Sequence, residues 1–213
     1  MPQNCLGFFA RQTGALHPGP AVLNFLKALL SASLGAVLGL TATYYSVERG
    51  LGFGAVQAGP WTVWPRSGSP EADPYARATL ARTGELPLGL AEGLTFIARG
   101  DSSGAPLSND CIYQIAGQMP PARFWTLSTA TRDGALIANS AGRYGFTSAE
   151  ILRAAGGAFS ITVSRGVQPG NWLPLGSADG FLLVLRFYDT PVSATASALN
   201  AAIMPLITKN GCP

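Results

Sequence analysis

The chain has 213 residues, and only 12% of them are charged, which is about half the usual share for a soluble protein. The net charge is +3 at pH 7 without any run of Lys or Arg, so nucleic-acid binding has no electrostatic support. The only histidine, His17, lies in an N-terminal Pro-rich segment. Because the rest of the chain lacks histidine, the sequence predicts no Ser-His or Cys-His site, no metal site and no cofactor.

A long uncharged segment follows the N-terminal tail. Residues 28–47 contain no charge, and as a helix they would span about 30 Å, the thickness of a bilayer's hydrocarbon core. Arg11 and Lys27 precede the segment without an acidic residue, whereas Glu48 and Arg49 cancel just after it. The positive-inside rule then predicts a cytoplasmic tail (residues 1–21), a transmembrane helix (22–47) in the inner membrane and a C-terminal part in the periplasm.

Two alternatives to an uncleaved anchor remain open at this point. A cleaved signal peptide needs a short charged region and a small-x-small cleavage site, but here the preceding region is long and the exit tripeptide Thr41-Ala42-Thr43 is poor. A buried helix of a soluble protein is the other alternative. An uncleaved anchor makes the lipid bilayer the first predicted partner.

One face of the predicted helix carries small residues four positions apart: Ser31, Gly35, Gly39 and Thr43. Such a strip lets two helix backbones approach closely, and Gly-x-x-x-Gly is the dimer form of the motif. Another membrane helix, from a second copy or a partner protein, is therefore a candidate contact. The alternative is that the strip is incidental, since small residues are common in membrane helices.

The remainder of the chain predicts short strands with few helices. Residues 48–59 are Gly-rich and are predicted as a tether, followed by a first strand within 57–65. Asp73 as N-cap, Pro74 at the first helical position and Gly84 past the end predict a helix over 74–83. Further predicted strands, separated by turn residues, cover 94–99, 111–116, 124–131, 135–138, 159–163 and 181–188.

Three further local signals refine this pattern. Asp133-Gly134 predicts a hairpin turn between the strands on either side. The capping box formed by Thr147 and Glu150 predicts a helix that ends at Gly156, and an Ala-rich stretch from Pro191 to 203 predicts another. Together these elements predict a mainly β domain over residues 60–213, an antiparallel β-sandwich or jelly roll with a few short helices.

Three segments carry a family resemblance: PWTVWPRSGSPEADPYARATLARTGELPL (60–88), PPARFWTLSTATRDGALIAN (120–139) and QPGNWLPLGSADGFLLVLRFYDTP (168–191). Together they resemble the bacterial domain-of-unknown-function 1214 family, in particular its small single-pass membrane members. The resemblance implies a jelly-roll-like β-sandwich. It implies no activity and no catalytic residues.

The cysteines are Cys5, Cys111 and Cys212. With the predicted topology, Cys5 faces the reducing cytoplasm while the other two share the oxidising side, so Cys111 and Cys212 are predicted to form a disulfide. This requires their Cα atoms to lie about 4.4–6.8 Å apart. The tail LITKNGCP is predicted to be too polar and too short to be held by burial, so a bridge would anchor it. The alternative is a buried Cys111 and a free thiol on a loose tail.

Arginines near aromatic residues give the candidate ligand-binding set, because guanidinium planes beside aromatic rings bind anionic or sugar-like ligands. Its members are Arg66, Arg123, Trp172, Arg186 and Tyr188. The alternative is that the tryptophans belong to the core and the arginines cover them.

Acid–base chemistry would have to come from carboxylates beside predicted strands, namely Glu92, Asp110 and Asp189. The sequence favours a membrane-anchored envelope protein with a non-enzymatic domain that binds a ligand or supports a complex. The alternative is an envelope hydrolase or lyase that uses carboxylate, Tyr or Arg chemistry without histidine or metal.

Overall fold

A computed structural model describes residues 19–48, 54–89, 91–191 and 204–212. The chain divides into two compact units, Met1–Tyr44 and Tyr45–Pro213. The predicted cytoplasmic tail, apart from its last residues, and the predicted Ala-rich helix over 192–203 lie outside the described residues.

Helix α1 (Pro20–Glu48) is the principal element of the N-terminal unit. It reaches a mean hydropathy of 1.8 over Pro20–Val47, and its large apolar side chains are exposed, as at Leu40. The hydroxyl of Ser31 donates to the carbonyls of Lys27 and Ala28, so it adds no unsatisfied polar group to the helix surface. By length and composition α1 is able to cross a membrane.

Within the described residues after α1, the C-terminal unit contains ten strands in two sheets and one helix, α2 (Pro74–Thr83). The strands are β1 (Val56–Ala58), β2 (Trp61–Val63), β3 (Gly93–Ala98), β4 (Ile112–Gly117), β5 (Phe124–Ala130), β6 (Gly145–Thr147), β7 (Phe159–Ser164), β8 (Asn171–Pro174), β9 (Leu182–Tyr188) and β10 (Leu206–Gly211). The six-stranded sheet has the order β1-β2-β3-β9-β5-β6, and the four-stranded sheet has the order β10-β4-β7-β8. All pairs are antiparallel except β7 with β8.

Side chains from both sheets meet in one hydrophobic core. Trp125 of the six-stranded sheet and Phe159 of the four-stranded sheet pack with ring centroids 5.7 Å apart. Strand alternation explains the pattern, since in β9 Leu183, Leu185 and Phe187 are fully buried while Arg186 between them is only half-buried. The predicted mainly β sandwich with few helices is confirmed.

The helix predicted from Asp73, Pro74 and Gly84 is present with the predicted bounds. Asp73 Oδ1 accepts hydrogen bonds from the amides of Tyr75 (2.9 Å) and Ala76 (3.0 Å). Gly84 has φ 65° and closes the helix in the left-handed conformation.

The helix predicted from the capping box at Thr147 is wrong. The local bonds form, because the amide of Thr147 donates to Glu150 at 3.0 Å and its hydroxyl donates at 2.9 Å. However, Thr147 belongs to strand β6, whose pairing with β5 occupies the backbone, and the chain turns instead of continuing as a helix. Here the hydrogen bonds of the capping box close a turn at the end of an edge strand and do not begin a helix.

The hairpin turn at Asp133-Gly134 is present, with Gly134 at φ 84°. The strand predicted over 135–138 is reduced to one bridge, between Leu136 and Ala130. The reason is that β6, further along the chain, takes the remaining partner positions on β5. The first predicted strand is also divided, because the turn at Gly59 separates β1 from β2. Strand β1 thus lies inside the segment predicted as a tether.

The C-terminal tail is a strand, contrary to the sequence prediction that burial could not hold it. β10 pairs with β4 in an antiparallel ladder, and Ile207 is fully buried. Trp61 Nε1 donates to the carbonyl of Pro205 at 2.8 Å. The open side of β10 is closed by Ser102, whose amide donates to the Ile207 carbonyl (2.9 Å) and whose hydroxyl accepts from the Ile207 amide (2.9 Å).

Candidate functional site

The predicted Cys111–Cys212 disulfide is present. The two Cα atoms lie 4.0 Å apart across 101 residues of sequence separation, a little below the expected range of about 4.4–6.8 Å. It joins the start of β4 to the end of the β10 segment. The pair therefore has a structural place at the edge of the four-stranded sheet.

A cleft lies between α2 and the outer face of the six-stranded sheet. Its volume is about 40 Å³, which exceeds the roughly 10–15 Å³ that one enclosed water requires. The helix contributes Ala76, Thr79 and Leu80, the sheet side contributes Trp64, Thr95 and Ile97, and the connecting segments contribute Ser67, Glu85 and Pro87.

Strand alternation explains why the sheet presents these residues. In β3, Leu94, Phe96 and Ala98 are buried in the sandwich core, so Thr95 and Ile97 face the other side. Trp64 follows β2 and also faces outward, because side chains alternate along a strand and Trp61 and Val63 point into the core. An amphipathic strand pair and a short capped helix thus create a second, smaller packed layer outside the main core.

Two polar atoms of cleft-lining residues have no hydrogen-bond partner among the described residues. They are the indole nitrogen of Trp64 and the hydroxyl oxygen of Thr95, and both atoms are buried. A buried polar group without a partner costs about 1–3 kcal/mol. Natural proteins keep such groups where a ligand or water supplies the missing partner.

The charged groups beside the cleft do not balance. Arg186 Nη2 donates to Glu85 Oε1 at 3.0 Å, with side-chain exposures of 28% and 18%. The guanidinium carbon of Arg99, the second arginine of this region, is 5.9 Å from the centre of the Trp64 ring. Burial lowers the pKa of Arg99, while the charge of Glu85 opposes this shift. The Glu85 carboxylate is therefore the nearby negative charge for two partly buried arginines, and it forms its ion pair with Arg186.

The structure brings together only part of the predicted ligand-binding set. Arg186 and Tyr188 project from the outer face of β9, and Arg186 reaches Glu85 at the cleft. Arg66 is exposed on the turn after β2, one residue before Ser67 of the cleft lining. Arg123 and Trp172 lie elsewhere.

Arg123 is exposed and lies 3.8 Å from Asp189 at the end of the β5–β9 pair. Trp172 belongs to β8 in the four-stranded sheet, where its indole donates to the carbonyl and the hydroxyl of Ser164, both at 3.2 Å. Because the Trp172 indole is already hydrogen-bonded and lies on the other sheet, Trp172 cannot contribute to a site at Arg186. Asn171, the neighbour of Trp172 in β8, is a buried residue whose side chain accepts from the Leu152 amide and donates to the Leu152 carbonyl.

Sequence reasoning missed most of the cleft lining, namely Thr95, Ile97, Leu80 and Glu85, and it also missed Arg99 beside the cleft. One signal was available, since the outward positions of β3 read Thr95, Ile97 and Arg99, and an apolar residue at the centre of an outward face indicates a covering element. The helix that covers it was predicted, but its docking position is not encoded locally.

The three carboxylates considered for acid–base chemistry are all exposed. Glu92 accepts a hydrogen bond from the Gly89 amide at 3.1 Å, Asp110 lies 3.5 Å from Arg165, and Asp189 pairs with Arg123. Within the described part of the chain, no three His, Cys, Asp or Glu side chains are grouped to hold a metal ion.

Comparison with one solved structure supports the fold. The VPA0106 protein from Vibrio parahaemolyticus superposes with a TM-score of 0.51 at 20% identity, over 66% of this chain and 36% of that chain. An uncharacterised protein from Burkholderia cenocepacia has a TM-score of 0.37 at 17% identity, over 70% of this chain and 48% of that chain. The chain thus spans less than half the length of either structure.

A comparison with curated proteins finds no match. The family described as "Protein of unknown function (DUF1214)" matches residues 92–192. This range contains β3 to β9, which form most of both sheets and the floor of the cleft. The sequence resemblance to this family is thereby confirmed over residues 92–192.

Proposed function

We propose that this chain is a single-pass protein of the bacterial envelope whose outer domain binds a small ligand in the cleft beneath α2, without catalysing a reaction. One observation carries the binding part: two buried polar atoms that lack partners belong to residues lining a cavity beside unbalanced arginines. A site that a ligand completes would account for all three features.

The envelope location rests on two independent properties. Helix α1 is long and apolar enough to span a bilayer, and disulfides such as Cys111–Cys212 persist outside the reducing cytoplasm. With Arg11 and Lys27 on the N-terminal side, we propose an inner-membrane anchor with a cytoplasmic N-terminus and a periplasmic domain.

Reporters that are active in only one compartment test the location. A periplasm-dependent reporter fused after residue 213 should be active, and a cytoplasm-dependent reporter at the same position should be silent. The reverse pattern would contradict the topology. N-terminal sequencing of the mature protein distinguishes an anchor from a cleaved signal, since a start near residue 43 would mean cleavage.

A fragment screen on the full chain in mild detergent tests the cleft. We expect fragments that raise the melting temperature of the wild type and of Ala78→Leu, which lies on the exposed face of α2. The same fragments should lose their effect on Ala76→Leu, because Ala76 lines the cleft. Equal effects on all three proteins, or no effect on the wild type, would contradict binding there.

We also propose that the strip Ser31, Gly35, Gly39 and Thr43 contacts another membrane helix. A Cβ atom added at Gly35 or Gly39 meets no described atom within 4 Å, so Leu at either position leaves α1 intact while it separates two packed backbones. Crosslinking in membranes should fall for Gly35→Leu and Gly39→Leu but not for the off-strip variant Val37→Leu. Unchanged crosslinking would mean the strip is incidental.

A further inference from the structure

The charge and shape of the α2 cleft define a class of ligand. Arg186 is neutralised by Glu85 at 3.0 Å. Arg99 stands beside the cleft, because its guanidinium carbon is 5.9 Å from the centre of the Trp64 ring, and within the described ranges this guanidinium donates no hydrogen bond and forms no ion pair. A partly buried guanidinium with free donors favours an anion, and the planar fork matches a carboxylate.

The remaining walls limit the rest of the ligand. Leu80, Ile97 and Pro87 are apolar, and the lining is more apolar than polar. The cavity of about 40 Å³ encloses only a few heavy atoms, so a bulky or highly hydroxylated ligand would not enter. The Trp64 indole and the Thr95 hydroxyl can each donate one hydrogen bond to an acceptor oxygen.

From this geometry we infer that the cleft binds a small monocarboxylate with a short apolar tail, with Arg99 as the principal anion contact. The carboxylate would lie between the guanidinium of Arg99 and the donors of Trp64 and Thr95, and the tail would pack against Leu80 and Ile97. The inference rests on the proposed function and adds the ligand's charge and size.

The test uses butyrate and its neutral counterpart butyramide with the full chain in detergent. The readout is the ¹H–¹⁵N indole resonance of Trp64, assigned by its loss in Trp64→Phe. We expect butyrate to shift this resonance saturably and to bind about tenfold or more tightly than butyramide, because a charge-assisted hydrogen bond is about twice as strong as a neutral one. Arg99→Gln should weaken the binding of butyrate by a similar factor and leave the affinity for butyramide unchanged.

Arg165→Gln is the matched control, since Arg165 pairs with Asp110 away from the cleft, and it should bind butyrate like the wild type. Equal affinities for butyrate and butyramide, or full butyrate binding by Arg99→Gln, would overturn the carboxylate assignment while leaving a ligand site in place. If butyrate fails to shift Trp64 but neutral fragments bind in the cleft, the assignment is also overturned. If neither probes nor fragments bind, the proposed function itself fails.

Discussion

The two sheets of the outer domain hold their peripheral elements by different means. At the four-stranded sheet, β10 is held by a backbone ladder, a disulfide and the Ser102 loop. At the six-stranded sheet, side chains of α2 pack over a cleft whose lining residues include polar atoms without a hydrogen-bond partner among the described residues. The first arrangement relies on backbone hydrogen bonds and a covalent bond, whereas the second leaves a cavity and unused hydrogen-bonding capacity.

The largest expected effect comes from removing the covalent bond. Cys111→Ala with Cys212→Ala should lower the free energy of unfolding by about 4–5 kcal/mol in the chain-entropy model for a loop of about 100 residues. Urea unfolding of the full chain in detergent measures the loss. Cys5→Ala is the control and should unfold like the wild type. An unchanged midpoint in the double variant would mean that the ladder and Ser102 suffice to hold β10.

The loop that closes β10 depends on Asp101. Its Oδ1 accepts bonds from the Ser103 hydroxyl (2.6 Å), the Ser103 amide (2.9 Å) and the Ala105 amide (3.0 Å). These bonds, led by that of the Ser103 hydroxyl, hold the pKa of Asp101 below its ordinary value of 3.8. A depressed pKa stabilises the fold above pH 3.8 and loses this contribution as the pH falls through the folded value.

Asp101→Asn should therefore reduce the free energy of unfolding by about 2 kcal/mol at pH 7. The difference from the wild type should shrink as the pH falls below 3.8. Unfolding curves between pH 7 and pH 2 measure both effects, with the exposed Asp179→Asn as control. A difference that does not change with pH would show that the carboxylate charge is not what orders this loop.

On the α2 side, the Glu85–Arg186 pair is the charged contact that joins the helix segment to β9. Glu85→Ala leaves two partly buried arginines without their shared carboxylate, and we expect a loss of about 1–2 kcal/mol, less than for a fully buried pair. A double-mutant cycle that combines Glu85→Ala with Arg186→Met isolates the interaction free energy between these two side chains. If Glu85→Ala costs nothing, the charges beside the cleft are already compensated by solvent.

The smallest expected effect has the opposite sign. Thr95→Val removes a buried hydroxyl that has no described partner and keeps the shape of the side chain. We expect the ligand-free protein to gain about 1 kcal/mol, and thermal unfolding measures the gain. Thr129→Val, which removes the other buried hydroxyl without a described partner, is the comparison. A loss at Thr95 would indicate that ordered water already satisfies it.

Local signals were sufficient where the chain itself supplies the contacts. The bounds of α2 follow from Asp73, Pro74 and Gly84, because caps act within one helical turn. The strands β3, β4, β7 and β9 were predicted to within about one or two residues, since alternating burial is visible in the letters. The Cys111–Cys212 pairing followed from predicted topology and the count of cysteines.

Predictions from the sequence were wrong where a segment pairs with another segment that is distant along the chain. The capping box at Thr147 favours a helix, but β5 offered that backbone a ladder, and tertiary hydrogen bonds outweigh a local preference. The polar tail at 206–211 carries one buried side chain, Ile207, and becomes a strand because β4 was available as a neighbour.

The sequence by itself determined that this protein has one apolar helix able to span a membrane, a mainly β domain and a cross-linked C-terminus, because each follows from local composition or from residue types. Only the tertiary structure decided which polar residues meet. Thr95, Arg99 and Glu85 converge because α2 docks on one face of one sheet, and that docking depends on shape and charge contributed by segments distant in sequence.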